Sequence, residues 1–235
     1  MKITTDLVKN NKFTSPIKAS LFKHSQEYRV LATLRYLYPQ KFNSMTTGES
    51  PDLQDCVNSI GIEVTVAVKK KDLKVSRAFS ELYQDEPKNI EKHKKIIESS
   101  GYSFATIKGE KVAIATSGTS IGEKYFFQES IRRKMKKFPQ YRIKFERTGL
   151  AILLPDIPTS YAENHFSEWI SECQVEPENM YDFVYVISHR FCIYYDVHTN
   201  TTEKRSLKEN ESRSLATIGR MTAEGKLTLE DTEWL

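Results

Sequence analysis

Pro51-Asp52-Leu53-Gln54-Asp55-Cys56-Val57-Asn58-Ser59-Ile60-Gly61-Ile62-Glu63-Val64-Thr65 decides the fold, because it reads as two short strands closed by a turn with an acid on each arm. Strand-forming residues run over 53–57 and 62–68, and Asn58, Ser59 and Gly61 supply the turn chemistry between them. A two-residue turn centred on Asn58 and Ser59 sets Asp52 opposite Thr65 and Gln54 opposite Glu63. The period of two then puts all four on one face. Ile62, Val64, Val66 and Val68 form the other face, which is the core side, so Glu63, Thr65 and Ala67 look into an opening. Two carboxylates held a diagonal apart on rigid strands suit a hard divalent cation. The competing account is a pair of solvated acids on a half-exposed sheet. Asp55 fits this register least well, since it falls on the apolar face beside the turn.

Pro51-Asp52, ten intervening residues, then Glu63-Val64-Thr65 after a glycine resembles the PD-(D/E)xK nuclease superfamily. The resemblance covers 17–156 as an order of elements and implies a restriction-endonuclease-like core of helix, three strands, helix and a further strand. It further implies that Asp52, Glu63 and the Val64 carbonyl hold magnesium, with manganese as the alternative ion, and that an acid of the first helix joins them. Glu27 is the matching acid here. The departure is Thr65, which stands where the motif has lysine. A threonine hydroxyl can orient a water, as can Gln54, but it carries no charge. Either another residue fills the lysine role, or the metal alone activates the water, or the site is inactive. Lys69 cannot fill it from the same strand, since six residues of extended chain span about 20 Å.

Outward from the hairpin, a helical stripe of Glu27, Leu31, Leu34 and Tyr38 predicts a helix over 18–38, stopped by Pro39. Lys69-Lys70-Lys71 leads into helices over 72–83 and 86–100. Strands over 102–107 and 111–116 follow and are expected to supply the third core strand. A helix over 123–138 buries Phe127, Ile131, Met135 and Phe138, while Arg132, Arg133, Lys136 and Lys137 crowd its last turns. Cations favour a helix C-terminus, but this many also suit a nucleic-acid backbone, contacts that position without reading sequence. Ser117-Gly118-Thr119-Ser120-Ile121-Gly122-Glu123-Lys124 fails as a phosphate loop, having three residues between its glycines and Tyr125 after its lysine.

Leu150 to Leu154 reads as a buried strand, 163–173 as an amphipathic helix, and 183–187 with 191–197 as a hairpin, with a further strand near 203–207. The tail from Gly219 is polar, with Trp234 expected to dock. The expected fold is α/β, or α+β, with a central mixed sheet flanked by helices and a C-terminal sheet extension. One domain is expected: an arm over 1–16, the core over 17–156 and the extension over 157–235.

The chain has 235 residues, 39% hydrophobic, enough for one full core. Its formal charge of +4, from 35 basic and 31 acidic residues, tilts toward an anionic partner. Three scattered cysteines without a CxxC pair argue against a disulfide framework and for the cytoplasm. No apolar run suits a membrane span. The five histidines lack zinc spacing, and neither GxSxG nor GxGxxG occurs. The expectation is a magnesium-dependent nuclease acting on DNA. Its alternatives are an inactive nuclease-like protein that binds nucleic acid or regulates a larger system, and an interaction protein with no nucleic-acid role. No dimer face is identifiable, although restriction-type nucleases often work as homo-oligomers.

Overall fold

The computed structural model describes residues 16–84, 86–107, 110–115, 123–155, 158–174, 180–230 and 232. The expected N-terminal arm, the loop over 117–122 and Trp234 lie outside these, apart from residue 16 at the end of the arm.

A sheet of seven strands forms the centre: β1 (Thr46–Thr47), β2 (Leu53–Asp55), β3 (Ile60–Val66), β6 (Arg147–Leu153), β7 (Phe183–Ile187), β8 (Phe191–Asp196) and β9 (Thr201–Ser206), in that spatial order. The central β3, β6 and β7 run parallel, and the outer pairs are antiparallel. Strands buried on both faces need continuous apolar sequence. Leu150 to Leu153 and Phe183 to Ile187 meet that requirement, and all are buried.

Helices cover both faces. On one side α1 (Phe22–Leu37), the short α2 (Pro39–Phe42) and α8 (Glu209–Ala223) pack over Leu53, Ile62, Val64, Ala151 and Leu153. On the other, α5 (Glu123–Met135), α6 (Phe138–Arg142) and α7 (Ser160–Ser171) cover Leu150, Ile152, Val184 and Val186. The mixed α/β architecture is therefore as the sequence implies. Among the described residues, no helix is long and apolar enough to cross a membrane.

Two expectations change. The hairpin β4 (Tyr102–Ile107) and β5 (Glu110–Ala115) makes a separate two-stranded sheet, and β6 is the third core strand. Ser103, Phe104 and Thr106 face solvent, a pattern that cannot sit in the middle of a sheet covered on both sides. This hairpin joins α3 (Lys70–Leu82) and α4 (Ile90–Ser99) around a small core of Val75, Ala78 and Ile97. The region read as a polar tail begins inside α8: residues 219–223 are its last turns, and Gly219 is buried beside Leu215 and Ile218 of the same helix.

The hairpin register also shifts. Leu53 pairs with Ile62, Gln54 with Gly61 and Asp55 with Ile60, so the turn holds four residues and not two. Asp55 causes this: its buried carboxylate accepts the Val57 and Asn58 amides, both at 3.0 Å, the Asn58 side chain at 2.8 Å and the Ser44 hydroxyl at 2.7 Å. An acid that binds the amides two and three residues ahead closes a turn by itself. Asp55→Ala orphans those amides and is expected to cost about 1–3 kcal/mol, read as a lower urea midpoint. Unchanged stability would mean the turn holds without its carboxylate.

Candidate functional site

Continuing the observed register sets Asp52 opposite Glu63, two positions from the expected opposition to Thr65. The slip is two residues in total, so the face is kept. Because β2 begins only at Leu53, Val64 has no ladder partner on that edge, and its amide donates instead to Asp52 Oδ2 at 2.8 Å. A strand residue sends its N–H and C=O toward the same edge. The Val64 carbonyl is thus aimed at the gap where Asp52 sits.

Three buried carboxylates from three elements line this gap: Glu27 of α1, Asp52 before β2, and Glu63 of β3. Two lysines stand between them. Lys23 Nζ lies 2.9 Å from Glu27 Oε1 and 3.0 Å from Asp52 Oδ1. Lys134 Nζ of α5 lies 2.5 Å from Glu63 Oε1 and 3.8 Å from Asp52 Oδ2. They differ in freedom, since the Lys23 side chain is 68% exposed and that of Lys134 only 14%. His24 Nδ1 sits 2.9 Å from Glu27 Oε2, whereas Glu27 Oε1 makes no hydrogen bond, its approach to Lys23 being close but off the bonding direction.

Burial opposes the charge on Asp52, but the Val64 amide, Lys134 and Lys23 outweigh it and hold the carboxyl below the ordinary aspartate range. Burial likewise opposes the charge on Lys23, and Glu27 and Asp52 more than offset it, so its pKa is raised. The Tyr141 hydroxyl borders the same cluster; burial and the neighbouring Glu63 carboxylate raise its pKa. Three carboxylates face three ammonium groups, Lys23, Lys134 and, at 3.8 Å from Glu63, Lys137, and Lys23 already stands as a cation between two of the acids. That donor set suits a hard, oxygen-binding ion. Among the described residues, however, no three acidic, histidine or cysteine side chains converge as a ready metal cage, because the ammonium groups separate the acids.

The other expected residues divide. Thr65 is at the site, its hydroxyl accepting from Arg133 Nη2 at 3.0 Å. Gln54 lies beside Gly61, further toward the turn, and its amide donates to the Pro51 carbonyl at 3.1 Å, so it is turned from the acids. Of the basic residues on α5 and beyond, Arg133 reaches Thr65, and Lys137 Nζ stands 3.8 Å from Glu63. Arg132 bonds Gln128 on its own helix, and Lys136 is exposed. In the lysine triplet, Lys70 pairs with Glu129 at 3.3 Å and Lys69 lies over the Phe126 ring at 5.3 Å, both along α5.

Lys23 and Lys134 were not legible as site residues. A signal for Lys134 exists: it lies three residues after Ile131 and seven after Phe127, on the edge of the buried stripe and not on the outer face.

A second buried acid, Asp182, shares the sheet face of Glu63, two strands across and two residues before Val184, which is level with Glu63 through Leu150. Both its oxygens receive Arg142 Nη1, at 2.7 and 2.8 Å, and the Thr148 amide at 2.6 Å and His198 Nε2 at 2.8 Å complete its shell. Burial opposes its charge, yet Thr148, His198 and Arg142 prevail and lower its pKa. Asp52 and Asp182 thus contribute stability that is complete above the ordinary aspartate range, about pH 4, and is lost as pH falls through their lowered values. Asp182→Asn is expected to cost about 2 kcal/mol at pH 7 and to converge on the wild type only once the pH has fallen through the lowered value of Asp182. Urea midpoints across that range check it, and parallel curves would contradict it.

No family model matches the chain, and neither a curated protein nor a solved structure is significantly similar to it.

Proposed function

We propose that the chain is a metal-dependent nuclease of the PD-(D/E)xK type, acting on DNA with magnesium or, in its place, manganese. Asp52, Glu63, the Val64 carbonyl and Glu27 would hold the ion. The observation that carries this reading is Lys134: its ammonium lies against Glu63 and near Asp52 from a different element. The charge missing from position 65 of the strand is thereby supplied from α5.

When bound, the ion would polarise the scissile phosphate and lower the pKa of an attacking water. Lys134, braced by Glu63, orients that water and offsets charge building on the phosphate. Thr65 and Arg133 hold the same corner. Lys23 and Lys137 are the more exposed part of the coat and can swing toward phosphate oxygens when an ion enters. Arg132 and Lys136 extend the basic surface along α5 for the backbone of the strand. The unpaired Cys56, Cys173 and Cys192 fit a reducing cytoplasm.

A second reading is a nuclease-like protein that binds nucleic acid without cutting. It draws on the lysines that fill the gaps between carboxylates and on the Arg133 hold on Thr65. Incubation with supercoiled plasmid and with single-stranded DNA, in magnesium, manganese or chelator, separates the two. Ion-dependent cleavage that Asp52→Asn and Glu63→Gln each lower by about 10²-fold or more supports the nuclease. Salt-sensitive binding without cleavage, or cleavage untouched by both substitutions, refutes it.

A further inference from the structure

We propose that Ile143 and Val57 form an apolar wedge that enters and unstacks a base step of duplex DNA held on the basic face beside the acid cluster. The proposal rests on the nucleic-acid part of the preceding reading and not on catalysis. Among the described large apolar side chains these two are the most exposed, at 88% and 83%. The next, Tyr161 and Tyr125, carry hydroxyls that water can bind. Both wedge residues sit at loop tips: Ile143 caps the end of α6, and Val57 lies in the four-residue turn between β2 and β3.

The two tips are tied to each other and to the site. The Glu146 amide donates to Ser59 Oγ at 3.0 Å, and the Arg147 amide to the Ser59 carbonyl at 3.1 Å. Lys144 Nζ reaches the Ser50 carbonyl at 3.5 Å, two residues before Asp52. Tyr141, two residues before Ile143, borders Glu63. The Val57 amide is itself pinned by Asp55. These are fixed projections, so little ordering entropy is lost when they are inserted.

Charge identifies the occupant. Arg142 and Lys144 flank Ile143 directly, Lys137 lies on the preceding turn and Arg147 follows; all four are exposed. The one exposed acid within this stretch is Glu146. An aliphatic side chain between cations matches a duplex opened by a wedge, with phosphates on the lysines and arginines and base planes against the aliphatic group. Arg142, Lys137 and Arg147 also pair with Asp182, Glu63 and Asp196, while Lys144 meets no acid among the described residues. The wedge would confine attack to steps that unstack readily, such as TA and CA.

The full chain is tested with a duplex oligonucleotide carrying 2-aminopurine at successive steps, with calcium or chelator in place of magnesium. The expected result is a rise in 2-aminopurine fluorescence on binding, confined to one or two positions. The double substitution Ile143→Ser with Val57→Ser loses that rise, while affinity by anisotropy falls by less than about tenfold, since phosphate contacts supply most of it. Lys136→Glu lowers affinity and leaves the rise intact at saturation. Binding without any fluorescence change, or a rise that survives the double substitution, overturns the wedge. So does failure to bind duplex, or loss of binding to anionic vesicles as the only effect of the substitutions. Absence of cleavage by the wild type when magnesium or manganese is supplied, with the fluorescence rise present in calcium, refutes the nuclease and leaves the wedge standing.

Discussion

Lys134→Met is expected to destabilise the ion-free protein by about 3–5 kcal/mol, the usual cost of breaking a buried ion pair by removing one partner. Its ammonium is the close counter-charge of Glu63, at 2.5 Å, and also faces Asp52 at 3.8 Å. Methionine fills the space of the lysine stem but leaves the buried Glu63 carboxylate without its close counter-charge. Magnesium should then rescue stability more in the variant than in the wild type, because the ion no longer competes with an ammonium. An ion at a hundred times its dissociation constant contributes about 2.7 kcal/mol. Cleavage should fall by about 10²–10³-fold even with saturating ion, the scale of one lost charge-stabilising group, and Lys134→Arg should recover part of it. Urea unfolding with chelator and with magnesium, beside single-turnover cleavage, reads all of this. A variant as stable as the wild type, or one indifferent to magnesium, would show that Lys134 is only a neighbour of the acids.

Gly219→Ala should destabilise, although replacing glycine with alanine inside a helix ordinarily gains about 1 kcal/mol. The sign reverses because α8 crosses α1 at this residue. An added Cβ would stand 2.7 Å from the Arg29 amide nitrogen, 2.8 Å from the Arg29 Cα and 2.8 Å from the Ser25 carbonyl oxygen. All three are backbone atoms of one helix, so no side chain can turn aside and the helices must part. The expected cost is about 1–3 kcal/mol for alanine, and more for leucine. The damage reaches function, because Ser25 and Arg29 bracket Glu27, and Lys23 lies one turn before it. Ion-dependent cleavage should therefore fall with stability. A more stable Gly219→Ala protein would disprove the close crossing.

The same contrast runs through the whole chain. Alternation on β3 determined that Ile62 and Val64 face one layer and Glu63 and Thr65 the other, and that held when the register moved by two residues. The continuous apolar runs of β6 and β7 determined that these strands lie deep, and the stripe on α1 determined that Glu27 turns inward. Each is a local pattern, and period alone dictates the face.

What those patterns could not carry is which distant segment meets which face. The four-residue turn follows from the bonds of Asp55 to its own loop and to Ser44, a residue eleven positions away. Burial of α8, a helix with few large apolar residues, follows from a glycine that lets two backbones touch. Lys134 is separated from Glu63 by 71 residues, and nothing in its own helix announces an acid pair. Sequence by itself placed the acids on a face; only the tertiary structure brought Lys23 and Lys134 between them, because pairing charges across a fold depends on where chain-distant elements pack and not on the period of either.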